Sequence, residues 1–219
     1  MEIQKVSLAE VAQALTEPYS LVELAYVDDF VARLFICQGS VAWHKHIDQD
    51  ELFLIHEGEV SLESEWGNCV LRAGEMAVVP KGVTHRSGSL LRSVVLLFER
   101  RLFADRQNGQ RRLFALKGQG TLNKADIKGA SRGLAPFFPL ELARVDNFTA
   151  RLLVCRGASK RLESNCDQIL LTQRGKIRLE TEKGEITLEE GELAHLPREI
   201  DHRLVAPGRA VALLLSRRT

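Results

Sequence analysis

Apolar residues recur at every second position along much of this chain, in short runs closed by glycine, proline or charged residues. FVARLFIC (30–37), ELFLIHEG (51–58), EVSLESE (59–65), GEMAVVPKG (74–82) and SVVLLFE (93–99) all read this way. Alternation with period two marks strands with one buried face. Turn signals about every ten residues predict an all-β sandwich or barrel. One segment, SLAEVAQAL (7–15), has helical spacing instead, with Ser7 and Glu10 forming a capping box ahead of it. No apolar run approaches the ~18 residues of a membrane helix, and the first residues lack a basic stretch followed by an apolar one. The expectation is a cytoplasmic protein with no membrane partner.

The pattern occurs twice. PYSLVELAYVDDFVARLFICQG (18–39) lies over PFFPLELARVDNFTARLLVCRG (136–157) at a constant offset of 118. GEVSLESEWGNCVLRAGEMAVVPKGVTHR (58–86) lies over GKIRLETEKGEITLEEGELAHLPREIDHR (175–203) at 117, so the second copy lacks one residue between Gly157 and Gly175. An internal duplication of β-strands predicts two tandem barrels with short helices. We place the first at residues 1–100, a polar Arg- and Gln-rich connection at 101–120, and the second at 121–219.

Composition changes this picture little. Hydrophobic residues make up 45% and charged residues 27%, as in ordinary globular proteins, and a formal net charge of +1 offers no basic field for nucleic acid. The clusters ERRLFADRQNGQRR and SRRT read as solvated surface. Four cysteines without CxxC spacing fit reduced thiols; Cys37 and Cys155 hold equal places in the repeat and read as small buried hydrophobes. Arg33 and Arg151 also coincide and read as a feature common to both barrels.

The histidines change it most. In WHKHIDQDE, strand period sends His44 and His46 to one face and Trp43 and Lys45 to the other. Glu51 opens the next strand on the inward side, ahead of Phe53 and Ile55, and His85 follows the turn in PKGVTH. Three imidazoles and one carboxylate suit Fe, Mn, Ni or Zn as divalent ions and are too rich in nitrogen for Mg or Ca. His56 has the opposite parity and reads as a surface residue; His195, in GELAHLP, reads as packing. The second copy has no such set. Gln168 stands for Glu51, His202 keeps the place of His85, and the two remaining positions fall on Arg161 and Glu163 or on Leu162 and Ser164, according to where the missing residue lies. Glu163, Cys166 and His202 make at best a weak site. The expectation is one metal per chain, in the first barrel, with the second either structural or a metal-free pocket lined by Arg161, Gln168 and His202.

These residues carry a resemblance. The cupin superfamily has two motifs, roughly G-x5-HxH-x3,4-E-x6-G and G-x5-PxG-x2-H-x3-N. Here Gly39 is followed after four residues by His44-x-His46, after four by Glu51 and after six by Gly58; Gly74 is followed after five by Pro80-x-Gly82 and after two by His85. Only the first spacing and the final Asn, where Ser89 stands, depart from the pattern. The chain thus resembles a bicupin, with an intact metal motif in its N-terminal half and a degenerate C-terminal half. The resemblance implies two jelly-roll barrels and a metal-dependent enzyme acting on a small organic molecule. Its most concrete form is a dioxygenase like the cupin flavonol or acireductone enzymes, with a sugar-phosphate isomerase next. The rival is a non-catalytic protein that uses the metal to bind or sense a small ligand; no helix-turn-helix segment precedes the barrel to suggest a regulator. No acid or base beyond the ligands can be named, and the family's habits allow a monomer or a homodimer.

Overall fold

The computed structural model describes residues 3, 5–101 and 120–218; apart from its end residues, the expected connection at 101–120 lies outside them. The described strands form two eight-stranded antiparallel sheets, one for each copy of the repeat. In the first, β2 (Val22–Val27), β3 (Phe30–Ser40), β8 (His85–Arg100), β4 (Glu51–Glu57) and β7 (Glu75–Val79) are neighbours in that order, with β5 (Glu59–Ser64) and β6 (Gly67–Arg72) joined through β8. In the second, β10 (Leu140–Val145), β11 (Phe148–Ala158), β16 (His202–Arg217), β12 (Gln168–Arg174) and β15 (Glu192–Leu196) repeat that order, and β13 (Ile177–Thr181) and β14 (Gly184–Leu188) repeat the side hairpin.

Each sheet rolls into a barrel because its longest strand serves three partners. The first residues of β8 pair with β5, Ser64 opposite His85, while the later ones pair with β3 and β4. The register puts Phe53 opposite Leu97 and Ile55 opposite Val95. These odd-numbered side chains meet Phe35, Val60, Leu62 and Leu71 in the first barrel's core. Leu153, Leu170, Ile177, Leu179 and Leu204 do the same in the second. Even-numbered positions such as Leu34, Leu52, Leu54 and Leu96 are buried as well.

Two short segments cross the division expected from sequence. β1 (Lys5–Ser7) pairs with β15 of the second copy, and β9 (Lys124–Asp126) pairs with β7 of the first. The two arrangements match, Lys5 to Glu192 at 2.8 Å and Lys124 to Glu75 at 2.9 Å. One compact unit accordingly contains the chain up to Val11, Ala25–Asp28 and everything from Ile127 on; the other contains Ala12–Leu24 and Asp29–Asp126. Helix α1 (Leu8–Ala14) follows β1, and its cap is the expected one, with the Glu10 amide donating to Ser7 Oγ at 3.3 Å. Its counterpart α2 (Ile127–Ala130) was not anticipated: four residues, one of them glycine, are too few to show a helical period. Among the described residues no helix is long and apolar enough to cross a membrane.

Gly58 closes the turn between β4 and β5 at φ +83°, and a Cβ there would lie 2.8 Å from Ser93 Cβ. Gly74, at φ +80°, has open space at that point. We expect Gly58→Ala to lose about 2 kcal/mol or more in urea denaturation, from the left-handed backbone and the overlap together, and Gly74→Ala about 1 kcal/mol from the backbone alone.

Candidate metal centre

The first barrel brings His44, His46, Glu51 and His85 together, with one ligand atom from each and all of these atoms within 4.8 Å of one another. Local backbone pairing accounts for the convergence. His44 and His85 form an isolated antiparallel bridge, exchanging N–H···O bonds of 3.0 and 2.8 Å, which sets their rings 4.4 Å apart. His46 follows two residues on. Its carbonyl accepts from the Gly82 amide at 2.6 Å, and Asp50 Oδ1 accepts from the Lys81 amide at 2.9 Å. The turn that delivers His85 is therefore tied to both ends of the segment between His46 and Glu51. Gly82 permits this with φ +82°.

The protons are placed for ligation. A carbonyl only accepts, so His44 Nδ1–H donates to Ala42 O (2.8 Å) and His85 Nδ1–H to Val83 O (3.1 Å), leaving each Nε2 with a lone pair. Glu51 Oε2 lies 2.9 Å from His85 Nε2 and 3.1 Å from His46 Nε2. Buried Glu51 Oε2 and His85 Nε2 nevertheless make no hydrogen bond of normal geometry. Acceptor atoms aimed at one another inside a barrel fit a cation between them, and the three-nitrogen, one-oxygen set suits a divalent transition ion. Burial pushes the Glu51 carboxyl up, but His46 and His85 outweigh it and hold the group well below the ordinary carboxylate range. Burial, then His85, lowers His44, which keeps that imidazole neutral.

A cavity of about 280 Å³ opens onto this cluster. His44 and Glu51 form its polar end; Leu21, Phe35, Phe53 and Leu97 form much of the rest, and among the described residues no Lys or Arg lines it. Tyr19, at φ 60°, reaches in with its hydroxyl 3.1 Å from Gly39 O, 3.2 Å from Ser87 O and 3.4 Å from Cys37 Sγ. Burial, then the Cys37 thiol, raises its phenol, so it stays protonated. Trp43 lies outside the cavity, half-exposed beneath the Arg86 guanidinium, as strand parity predicts.

Behind Glu51 lies a second buried polar group. Glu99 is 0% exposed and Arg33 2%. Arg33 pairs with Glu99 through one nitrogen and with Glu23 through the other at 2.7 Å, and Gln49 Nε2 donates to Glu99 Oε2 at 2.8 Å. Sequence reasoning missed this network. The signal was present as a charged residue at the inward parity of SVVLLFE, two positions past Leu97.

The second barrel resolves the ambiguity of the repeat. Leu162 bridges His202 as His44 bridges His85, and the Glu199 amide donates to Ser164 O as Gly82 does to His46 O. Leu162 and Ser164 are therefore the equivalents of His44 and His46. The Arg198 amide on Asp167 repeats Lys81 on Asp50, so the missing residue falls within the loop Ile47–Gln49. The expected pocket does not assemble. Arg161 has the outward parity, is exposed and reaches Glu182 at 3.2 Å, while His202 is buried with Nδ1–H toward Ile200 O. Glu163 is exposed too. His195, read as packing, is half-buried with Asp167 3.8 Å away, and His56 is half-buried beside Glu57. Arg33 and Arg151 are not the common feature expected, because Ser216 occupies the place of Glu99.

Comparison with known proteins agrees with this geometry. The cupin domain family model matches residues 36–90, which hold the whole cluster. The uncharacterized protein YdbB of Bacillus subtilis (strain 168) is 34% identical over 94 residues, covering 42% of this chain and 83% of that protein. The chain belongs to the cupin superfamily. A cupin 2 conserved barrel domain protein from Leptotrichia buccalis superposes over 100% of this cupin and 98% of its own chain, with a TM-score of 0.76 at 9% identity. Salicylate 1,2-dioxygenase from Pseudaminobacter salicylatoxidans covers 99% and 84%, with a TM-score of 0.79 at 12% identity. At such identities the likeness concerns the fold.

Burial lowers His202, so the folded cupin resists a proton that the unfolded chain accepts near pH 6.5. More protons bound to the unfolded state mean stability that falls as pH drops below about 6.5. We expect the metal-free protein to show this decline in urea titrations between pH 8 and 5.5. His202→Gln should make it shallower by at most one proton, about 1.4 kcal/mol per pH unit.

Proposed function

We propose that this cupin is a metal-dependent enzyme acting on a small, largely apolar organic molecule, most concretely a dioxygenase-type oxidoreductase, with His44, His46, Glu51 and His85 as the ligands. One observation carries the reading: four donor atoms converge on one point, and two of the residues that carry them, His44 and Glu51, line a small cavity whose other walls include Leu21, Phe35, Phe53 and Leu97. Bound there, a divalent ion supplies Lewis acidity to a chelating substrate oxygen and a redox centre for O₂. The chain's own residues do the remainder. Phe35, Phe53, Leu21 and Leu97 hold the apolar body of the substrate and exclude water from it. His44 and Glu51 turn its polar end toward the ion. Tyr19 forms a neutral wall, its proton engaged by backbone carbonyls. A sugar phosphate fits poorly, since among the described residues no cationic side chain lines the cavity to meet its charge.

Elemental analysis of purified protein should find about one metal per chain. His46→Ala and His85→Ala should lose most of it, and His202→Ala should keep it. Because a ligating imidazole must be neutral, occupancy should fall as pH drops below about 6.5. Iron-loaded protein should consume O₂ only when a small catechol, enediol or diol is present. Saturable binding of such a compound without O₂ uptake would replace catalysis with sensing. Two well-occupied metals per chain, or full retention in His46→Ala, would overturn the ligand assignment.

A further inference from the structure

Inside the first barrel two carboxylates are neighbours. β4 and β8 pair Leu52 with Phe98, so the flanking residues Glu51 and Glu99 oppose each other on the inward face. In the second barrel the equivalent pair is Gln168 and Ser216, in the same register. Like charges placed opposite one another in a sheet destabilise it, the more so when buried. Burial, then Glu51, pushes the Glu99 carboxyl up, and Arg33 acts against both; each of its oxygens accepts a hydrogen bond, Oε1 from Arg33 and Oε2 from Gln49. None of Arg33, Gln49 and Glu99 lines the cavity beside Glu51.

Gln49 sits in the loop that spaces His46 from Glu51. That loop has three residues ahead of Asp50, Ile47 to Gln49, where the second copy has only Asn165 and Cys166 ahead of Asp167. The one-residue difference between the copies thus falls at the residue that tethers the loop to Glu99. Cluster, tether and buried carboxylate are present together in one barrel, and the aligned positions of the other hold none of the carboxylates.

Resting on the metal reading above, we propose that Glu99 is a positioning residue for the ion. It sets negative charge behind Glu51 and, through Gln49, fixes the loop between His46 and Glu51, so that cation affinity depends on a side chain that touches neither ion nor substrate. Arg33 opposes the burial and the Glu51 charge that disfavour the anion, and it holds the carboxyl group in place. The repulsion between Glu51 and Glu99 is relieved when a cation sits between the ligands.

Titration of the metal-free full-length chain with Co(II), followed by its visible absorption, tests this. Glu99→Gln should weaken binding at least tenfold and shift the absorption of the bound ion, as loss of outer-layer support does. Since Glu99→Gln removes the buried counter-charge of Arg33 and leaves it only paired with Glu23 nearer the surface, the double variant Arg33→Met with Glu99→Gln removes both buried charges and should weaken binding to a similar degree. Gln49→Ala keeps the charge but frees the loop; it should weaken binding less and still move the spectrum. A purely structural role would lower the melting temperature and leave the spectrum of the bound ion unchanged. Wild-type affinity and spectrum in both Glu99 variants would overturn the proposal, and should neither fold, the same result in Gln49→Ala would do so. If wild-type protein takes up no Co(II), the metal reading falls and this one with it. If wild-type binds and His46→Ala does not, while the Glu99 variants match wild-type, only the present proposal falls.

Discussion

The antiparallel ladder between Phe30–Ser40 and His85–Arg100 governs the first barrel. Once β8 is zipped to β3 along its later residues and to β5 along its first, every odd-numbered side chain from Val95 to Glu99 must face inward. A slip of one residue would turn the core and the charged group outward together. The same strand starts with His85, bridged to His44, so one continuous stretch of backbone sets both the floor of the barrel and one side of the histidine cluster. The cluster inherits the rigidity of the ladder, which is what ligands held to a fraction of an ångström require.

How much of this was legible in the sequence depended on how local the signal was. Strand period alone gave the parity of His44, His46 and Trp43, because adjacent side chains on an extended chain have no choice of face. The repeat gave the architecture, and the spacing around Pro80 and Gly82 gave His85. Tyr19 was not legible as a cavity residue, since its position depends on a left-handed backbone at a turn and on carbonyls from two distant strands. Nor was the Arg33–Glu99 pair, whose partners are 66 positions apart. The pocket of Arg161, Gln168 and His202 failed because the missing residue could be placed in two ways. One choice would have put Arg161 inward, and the backbone pairings of Leu162 with His202 and of Ser164 with Glu199 decide against it.

The two copies show what a barrel of this kind needs and what it tolerates. Core positions such as those of Phe53 and Leu97 remain apolar in the second copy, as Leu170 and Leu214. The buried charges do not persist. Where Leu162 and Ser164 stand for two histidines, Gln168 and Ser216 stand for two glutamates, and neutral groups suffice. Buried ions cost desolvation that a fold of this size does not need to bear for stability alone. Their retention in one copy beside the histidines fits a demand from the site and not from the fold.

The crossed opening strands have a consequence for how the chain is made. Lys5 finds Glu192 187 positions later, while the edge of β7 waits for Lys124–Asp126. A ribosome delivers the first copy before Lys124–Asp126 and long before Glu192, so the nascent barrel carries for a time an uncovered edge, and for longer a tethered strand with nowhere to pair. Contacts of such sequence separation close late and slowly. Final assembly is therefore a step near the end of synthesis, in which each half supplies the other's last strand. The duplication cannot be cut back to one copy at its connection without stripping a strand from both products.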